Sequence, residues 1–592
     1  MRLASALWKC LLIPLALPLL PGCGGGGTGD PSCTETPQAF VASAAWQAIV
    51  PGQATACTIE VKAPALAADE RLAVLLVNAS GTDHGSFTLS AAGTSATVEA
   101  PGAGPLLAMA APAVGGATPR DLGAPLAIQR ASLARWLSGP APAAARRARS
   151  AVQAAGTPIP DTPRTFCVYK DLNNTKTGGW NRRPATLLHQ SDNAAYYATD
   201  DVKAGIAAIA DPGGARPDFW ATLDSYFEGN VVKYPSTKNP TGAKHILDTL
   251  DTSFGGLSDY DANGKVIFLF TNLSATSTSG ATSFVAGYFD PNDLQAADET
   301  TGCNAGGAAE GSNGADMLYL MDPLHYRQLS GNSYDTIVDE DLPSTMAHEL
   351  QHDALFFARC LKNGVTARCS ASGDPAASGD LWLNEGLSMV SEDVAGFGMN
   401  TSSGRQRVGA YLTCADTARH TCHESASMTA WPSPGDPYGN YGAVHAFLRW
   451  HLDQRAKVSA AAAQDFTRAL ERATVDARTA VAAGSGLSFE DGSARFASAT
   501  LFSGWSADPA GEQDFAAGTP WSPWHGAGAT MAWPSYDPLG ASPVTLSLRT
   551  DAWTAYQTGL GSGADATVTL TSTGAARPTL VVARVKKAFQ TP

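Results

Sequence analysis

The middle of the chain contains short apolar runs, typical of buried strands, and longer stretches of helical periodicity. The runs Val266–Phe270 and Met317–Leu320 are apolar at nearly every position, which predicts buried strands. A helix is predicted from Ser344 to Cys360, because apolar residues recur there at helical spacing and Ser344 is a suitable N-cap. Further helices are predicted at Asp200–Ala210, Lys244–Leu250, Asn384–Val394, Gly439–Gln454 and Lys457–Ala473. Strands followed by helices predict an α+β domain over residues 161–505.

Both ends of the chain show the alternation of apolar and polar residues that is typical of half-buried strands. Examples are Ser86–Ser90 near the start and Pro543–Arg549 near the end. We therefore predict a β-sandwich-like domain at residues 33–113, with an immunoglobulin-like fold as the first choice, and a second one at 506–592. Residues 114–160 are rich in Ala, Pro and Arg, which predicts a linker or a removable pro-segment.

Length and composition limit the class of protein. A chain of 592 residues is too long for one hydrophobic core, so several domains are expected. Its hydrophobic content of 44% supports globular folding, and its net charge of −14 argues against a nucleic acid as partner. The sequence does not determine the oligomeric state.

The first 32 residues predict export. The apolar run Leu11–Leu20 has the length of a signal-peptide core and is too short to span a bilayer. Cys23 follows in a segment that resembles a bacterial lipobox, so we predict a lipoprotein signal peptide at 1–22, lipidation of Cys23 and a Gly-rich tether at 23–32. The protein is then expected in the bacterial envelope, first of all at the outer membrane, and held there only by its lipid. Simple secretion is the alternative.

Cysteine usage agrees with an oxidising compartment. Of the ten cysteines, eight remain once Cys10 in the signal peptide and Cys23 are set aside. None of them form a C-x-x-C motif, so disulfides are favoured over a cysteine-ligated zinc. Pairing of sequence neighbours gives 33–57, 167–303, 360–369 and 414–422, and other connectivities remain open.

The most informative segment of the chain is His348–His352, which reads HELQH. Residues four apart lie on one face of a helix, so both imidazoles can bind the same ion. Zn²⁺ accepts nitrogen ligands, and a catalytic zinc site keeps one position for water. Glu349 lies beside the first His, where its carboxylate can act as general base. Because the chain has only 11 His, this spacing around a Glu indicates zinc rather than chance.

A third protein ligand is required, and Glu385 in the segment WLNEGL is the candidate. HELQH followed by WLNEG resembles the gluzincin metallopeptidases, in which a Glu on a second helix completes the zinc site. Within that group the chain is similar to the hyicolysin family of bacterial secreted metallopeptidases, in the segments Ser391–Asp393, Ala315–Leu320 and Tyr438–Gly442.

The resemblance covers about residues 161–505 and implies a thermolysin-like domain with one Zn²⁺. It implies that the metal ligands are His348, His352 and Glu385 and that Glu349 is the catalytic base.

The chain departs from the thermolysin pattern after the third ligand. Thermolysin-like members have an Asp four residues after the ligand Glu, where this chain has Met389. Ser388 and Glu392 lie three and seven residues after Glu385, on the same helical face, and either is predicted to hold a ligand imidazole. For Glu392, a position on a solvated face is the alternative.

The resemblance also implies a group that stabilises the oxyanion and a strand that borders the cleft. Tyr441 is the first choice for the oxyanion role, followed by Tyr438 and His445, and simple packing in a helix is the alternative. The cleft strand of such folds is an edge that can pair with an extended substrate, and Met317–Leu320 is the candidate.

The segment Asp259–Gly264 mimics the start of a calcium loop. The twelfth position of that loop is Phe270 rather than Glu, and the residues run directly into a predicted strand. A polar turn before a strand is therefore the preferred interpretation.

These patterns predict an exported zinc endopeptidase that acts on proteins or peptides of the envelope or the surroundings. The Gly-Ala-Met-Glu-Asn motif of gluzincin aminopeptidases is absent from the sequence, which favours an endopeptidase and keeps an aminopeptidase as an alternative. A second alternative, from another class, is a cell-surface binding lipoprotein whose peptidase domain no longer cuts.

Overall fold

A computed structural model describes residues 38–39, 46–49, 57–78, 85–95, 125, 127–128, 131–132, 158–170, 172, 179–229, 239–276, 282–295, 303, 311–361, 381–398, 401–413, 422–431, 438–502, 537–573 and 578–586. The predicted signal peptide, Cys23, the tether and most of the segment 114–160 lie outside the described residues. The described part contains helices and several β-sheets, as the sequence predicts. Within it, no helix is both long and apolar enough to cross a membrane.

The secondary structure elements are numbered in chain order. The strands are β1 Gln38–Ala39, β2 Trp46–Ile49, β3 Cys57–Ala63, β4 Glu70–Asn78, β5 Gly85–Ala92, β6 Arg164–Tyr169, β7 Trp180–Gln190, β8 Ala194–Thr199, β9 Val266–Thr271, β10 Ser274–Thr276, β11 Thr282–Phe284, β12 Gly287–Phe289, β13 Met317–Met321, β14 Asp537–Leu539, β15 Val544–Leu548, β16 Trp553–Thr558, β17 Ala566–Thr573 and β18 Pro578–Lys586. The helices are α1 Lys203–Ala210, α2 Phe219–Phe227, α3 Ile246–Thr249, α4 Pro323–Ser330, α5 Leu342–Phe356, α6 Leu381–Val394, α7 Ser402–Thr413, α8 Tyr438–Ala456, α9 Ala460–Glu471, α10 Ala477–Ser485 and α11 Phe489–Phe502. Short helical turns lie at Leu250–Phe254, Pro291–Leu294, Tyr334–Thr336, Ile337–Asp341 and Phe357–Leu361.

A six-stranded sheet in the order β12-β13-β9-β8-β7-β6 forms one side of the central region. Its three middle strands, β8, β9 and β13, are parallel to one another and fully buried, while β12 and β7 are antiparallel to their neighbours. The predicted strands Val266–Phe270 and Met317–Leu320 correspond to β9 and β13. Helices α5 to α11 follow the sheet in the chain, so the predicted order of strands before helices is confirmed.

The predicted edge position of Met317–Leu320 is wrong. Strand β13 pairs with β9 on one side and with β12 on the other. The edge strand next to β13 is Gly287–Phe289, which has only three residues and is too short to show a periodicity in the sequence. A Cβ atom on Gly287 would lie 2.7 Å from Cγ2 of Thr345 on α5, so glycine allows this edge strand to approach the helix closely.

The two predicted terminal β domains are a single β-sandwich. One five-stranded sheet has the order β1-β3-β17-β5-β15 and the other β14-β16-β4-β18-β2, so each sheet combines strands from both ends of the chain. The side chains of Thr58 and Thr571 are in contact although they are 513 residues apart in the sequence. The division into separate domains at 33–113 and 506–592 is therefore corrected, because the strands of each segment find their partners in the other.

The sandwich packs against the helices of the central region. Trp553 of β16 is fully buried, and its indole N–H donates to the Tyr411 hydroxyl of α7 at 2.7 Å. The ring of His423 stacks on the same indole with centroids 4.1 Å apart. Arg478 of α10 donates at 3.0 Å to the buried carboxylate of Asp551. These contacts join one face of the sandwich to the core of the central region, while the interior of the sandwich forms a second core.

The predicted disulfide between Cys167 and Cys303 is present. Cys360 and Cys422 are also disulfide-bonded. Their predicted partners, Cys369 and Cys414, lie outside the described residues.

Candidate metal centre

Helix α5, which carries the HELQH segment, is buried along its whole length. Pro343 lies at the start of α5, directly after the helical turn Ile337–Asp341. The predicted N-cap role of Ser344 is wrong, because the helix continues directly from the helical turn Ile337–Asp341. Ser344 lies inside the helix instead, and its hydroxyl donates to the carboxylate of Glu392.

The three predicted ligands converge on one point between α5 and α6. The imidazole centroids of His348 and His352 are 4.9 Å apart. The Glu385 carboxylate faces both rings, with Oε2 3.3 Å from Nε2 of His348 and Oε1 3.6 Å from Nε2 of His352. One ligand atom each from His348, Glu349 and His352 lies within 4.8 Å of the others.

The surroundings of Glu385 fit a metal ligand. Its side chain is 1% exposed, and its oxygens face the two imidazoles and the Tyr441 hydroxyl without a hydrogen bond of ordinary geometry to any of them. A buried carboxylate without well-formed hydrogen bonds is unfavourable, and a divalent cation shared with two imidazole nitrogens would remove that cost. Two nitrogens and one carboxylate also form a common donor set for catalytic zinc. The residues present therefore fit Zn²⁺.

Gly386 explains how α6 places Glu385. A Cβ atom at Gly386 would lie 2.7 Å from Cδ1 of Leu448, so the missing side chain lets α6 pack closely on α8. This close packing fixes the position of the neighbouring residue, Glu385, opposite α5. Gly386 of the WLNEG segment therefore allows the close packing of α6 on α8.

Glu349 lies beside the ligands and is held by the edge strand β12. The backbone N–H of Phe289 donates to Oε2 of Glu349 at 3.1 Å. Glu349 is 3% exposed, so the carboxylate is largely shielded from bulk water. The arrangement directs a carboxylate towards the point where the three ligands meet.

The far side of His348 contacts a charged cluster. Its Nδ1 lies 2.7 Å from Oε1 of Glu392, and the same carboxylate oxygen accepts from Arg407 at 3.1 Å. Burial would raise the pKa of Glu392, but Arg407 and His348 outweigh it and hold this pKa far below its usual range. For His348, burial alone would lower the pKa. The carboxylates of Glu385 and Glu392 outweigh this effect and raise the pKa of His348 to about 9.

The far side of His352 contacts neutral groups. Its Nδ1 lies 2.9 Å from Oδ1 of Asn384 and 3.1 Å from Oγ of Ser388. Burial lowers the pKa of His352 to about 4. Ser388 and Glu392, the two candidates from the sequence, thus contact different imidazoles, those of His352 and His348.

Tyr441 lies at the site, whereas the two lower-ranked candidates do not. The ring centroids of Tyr441 and His348 are 6.3 Å apart, and burial together with the nearby Glu385 carboxylate raises the pKa of Tyr441 well above its usual value. The Tyr438 hydroxyl donates to Gln406 at 3.0 Å, and Nε2 of His445 lies 3.5 Å from Asp393.

Sequence reasoning missed Asn384 and Arg407. Asn384 immediately precedes the candidate ligand Glu385, and this adjacency is the signal that indicates a polar residue near the site. Arg407 gives no such signal, because it comes from a polar segment, GRQR, that looks solvent-exposed in the sequence. In the structure its side chain is 2% exposed, and its guanidinium lies 5.7 Å from the ring centroid of Tyr441.

The segment Asp259–Gly264 forms a turn that leads into β9. The Gly264 N–H donates to Asp259 Oδ1 at 3.0 Å, which is ordinary turn chemistry for an Asp. Asp259 and Asp261 also lie near Asp316, with one carboxylate oxygen of each within 4.8 Å of the others.

No model of a known protein family matches this chain, and no curated protein matches it in sequence.

Proposed function

We propose that the protein is a zinc-dependent endopeptidase of the gluzincin type. One observation carries this proposal: the buried carboxylate of Glu385 faces the Nε2 atoms of His348 and His352 at 3.3 and 3.6 Å, without a hydrogen bond of ordinary geometry. The carboxylate of Glu349 at the same point supplies the group that a hydrolase needs to activate water. The central α+β region with a helical second half is consistent with this class.

Zinc held by His348, His352 and Glu385 would lower the pKa of a water molecule and polarise the carbonyl of the scissile peptide bond. Glu349 then takes one proton from the attacking water and passes it to the nitrogen of the leaving amine. The N–H of Phe289 restrains this carboxylate, so its position is set before substrate arrives. Restraint of this kind lowers the reorganisation needed during reaction.

Tyr441 is proposed to donate a hydrogen bond to the carbonyl oxygen as negative charge develops on it. A donor must keep its proton, and the raised pKa of Tyr441 keeps the phenol neutral throughout the working range of pH. Its ring lies against His348, on the side of the site that carries the first ligand.

Substrate and location are proposed from the sequence. The predicted export signal and the lipobox-like segment at Cys23 support a location on the outer face of a bacterial envelope or in the surroundings, and its substrates would then be proteins or peptides found there. The absence of the aminopeptidase motif from the sequence favours cleavage within chains.

The test compares wild type with Glu349→Gln on casein and on blocked peptides, with zinc measured by elemental analysis. We expect one zinc per wild-type chain, proteolysis that a chelator abolishes, and a Glu349→Gln variant that retains zinc but is inactive. Wild-type protein that contains zinc but cleaves neither casein nor blocked peptides would contradict the proposal. Cleavage only of dipeptide reporters with a free amino group would identify an aminopeptidase instead.

A further inference from the structure

The segment 422–431, which lies between α7 and α8 in the chain, carries a tryptophan to the ring of Tyr441. The rings of Trp431 and Tyr441 have centroids 4.9 Å apart and planes at 69°. Aromatic pairs favour this edge-to-face arrangement. The indole N–H of Trp431 donates to the backbone carbonyl of Met428 at 3.2 Å, so the segment itself holds the orientation of the indole. The half-buried Trp431 thus contacts the same tyrosine ring that faces His348.

The β-sandwich holds this segment next to the tryptophan. Arg549, which follows β15, donates from Nη2 to the backbone carbonyl of Ala430 at 3.0 Å. Asp551, two residues further on, accepts from the hydroxyl of Thr429. Two side chains of the sandwich therefore restrain the two residues that directly precede Trp431.

The backbone of Tyr441 is fixed by its two neighbours on α8. The side-chain amide of Asn440 donates to the backbone carbonyl of Ser427 in the 422–431 segment at 2.5 Å, and both residues are fully buried. A Cβ atom at Gly442 would lie 2.2 Å from a backbone oxygen of α7, so α8 packs closely on α7 there. The freedom that remains to Tyr441 is rotation of its phenol ring about the side-chain bonds, and the contact with Trp431 restricts this rotation.

We propose that Trp431 is a positioning residue that holds the phenol ring of Tyr441 in place, and that the β-sandwich sets the place of Trp431 through Arg549 and Asp551. The inference rests on the oxyanion role proposed for Tyr441, and it gives the sandwich a part in catalysis. A donor to a developing oxyanion is effective when it is aimed at that oxygen before the reaction, so a rotated ring loses most of its effect.

The first experiment measures kcat and KM on a blocked peptide, together with zinc content, for the full-length protein. Trp431→Leu removes the aromatic contact and keeps an apolar side chain. We expect kcat to fall about 10- to 100-fold, as for misplacement of a catalytic group by about 1 Å, with unchanged KM and zinc content. Trp431→Phe keeps an aromatic ring against Tyr441 and should retain kcat within about three-fold of wild type. In a Tyr441→Phe background, Trp431→Leu should lower kcat no further, because the group that it positions no longer donates.

A phosphinic peptide gives a readout without turnover. Its charged oxygen takes the place of the developing oxyanion, so the Tyr441 hydroxyl can donate to it. Calorimetry should show that Trp431→Leu binds this peptide more weakly than wild type by about the factor by which kcat falls. Trp431→Phe should bind it nearly as tightly as wild type.

The second experiment tests the contribution of the sandwich. Arg549→Met removes one hydrogen bond to the segment and leaves the contact of Asp551, so we expect kcat to fall by a smaller factor, about three-fold. Arg584→Met is the matched control, because Arg584 is another half-buried arginine of the sandwich and donates to Pro64 at 3.2 Å and to Glu70. The control should lower stability in urea without a change in kcat. In a Trp431→Leu background, Arg549→Met should have no further effect on kcat.

The outcomes separate this inference from the proposed function. Wild-type protein that cleaves no peptide would overturn both. An active wild type and an impaired Tyr441→Phe variant, together with unchanged kcat in Trp431→Leu, would overturn this inference alone. An effect of Trp431→Leu on KM alone would also overturn it, because the tryptophan would then contact the substrate. Unchanged kcat in Arg549→Met, or an equal loss in Arg584→Met, would overturn the part assigned to the sandwich.

Discussion

Replacing Glu392 by Gln separates the two tasks of the charged cluster behind His348. The Glu392 carboxylate is 2% exposed and contacts His348 Nδ1 at 2.7 Å and Arg407 Nη1 at 3.1 Å. Because its pKa is held far below the usual range, the group is ionised at every practical pH. Gln keeps the shape of the side chain but removes the charge that both neighbours face.

Two losses of different size are expected. Loss of an outer-shell partner lowers metal affinity about 10- to 100-fold, and a charged partner such as Glu392 belongs near the upper end. Removal of one member of a buried ion pair costs about 3–5 kcal/mol, because Arg407 would be left as an uncompensated buried charge. The amide oxygen of Gln can still accept one hydrogen bond, so we expect about 3 kcal/mol.

The assay combines chelator competition for zinc affinity with urea unfolding for stability. The double variant Glu392→Gln/Arg407→Met removes both charges and is expected to recover most of the lost stability, while zinc affinity stays as low as in Glu392→Gln. The reasoning is refuted if Glu392→Gln binds zinc as tightly as wild type, or if the double variant recovers zinc affinity together with stability.

The remaining predictions concern a catalytic group and a buried histidine. Tyr441→Phe should lower kcat on casein about 10²- to 10³-fold with unchanged zinc content, as expected for loss of one oxyanion donor, and an effect on KM alone would exclude that role. Burial lowers the pKa of His423 from 6.5 to about 4, so between these values the unfolded chain binds a proton that the folded chain does not. Stability contributed by the neutral ring is present above pH 6.5 and is lost as the pH falls towards 4. Urea unfolding at pH 7 and 4.5 should show a loss about 2 kcal/mol larger for wild type than for His423→Gln, and equal losses would contradict this account.

Residue spacing within single helices predicted the centre of the site. His348, Glu349 and His352 occupy one turn of α5, so helical geometry alone brings them together. Glu385 required a second helix, and the apolar periodicity of residues 384–394 supplied the evidence for it. Ser388 and Glu392 were placed on the ligand face by the same periodicity, and in the structure they contact the two imidazoles.

Contacts between distant segments were beyond such reasoning. Arg407 reaches the site from α7, and no local pattern distinguishes a buried Arg from an exposed one. Ser344 was misread for a related reason: its sequence context suits an N-cap, but the packing of the preceding turn lets the helix begin earlier. Strand periodicity likewise shows which residues face a core, and it does not show which strands are neighbours.

The shared sandwich predicts that the chain cannot be cut at residue 505 to give a free peptidase domain. Strand β17 lies between β3 and β5, and β18 lies between β4 and β2, so truncation removes a central strand from both sheets. Buried residues such as Val74 and Leu76 would become exposed to water, and the unpaired strand edges would promote aggregation. We expect the 1–505 chain to aggregate and to regain solubility when the 506–592 segment is supplied during refolding. As a control, a protease site inserted between residues 506 and 536 should leave the two pieces associated after cleavage. A soluble, monodisperse 1–505 protein with full zinc affinity would show that the central region folds without the sandwich and would contradict this conclusion.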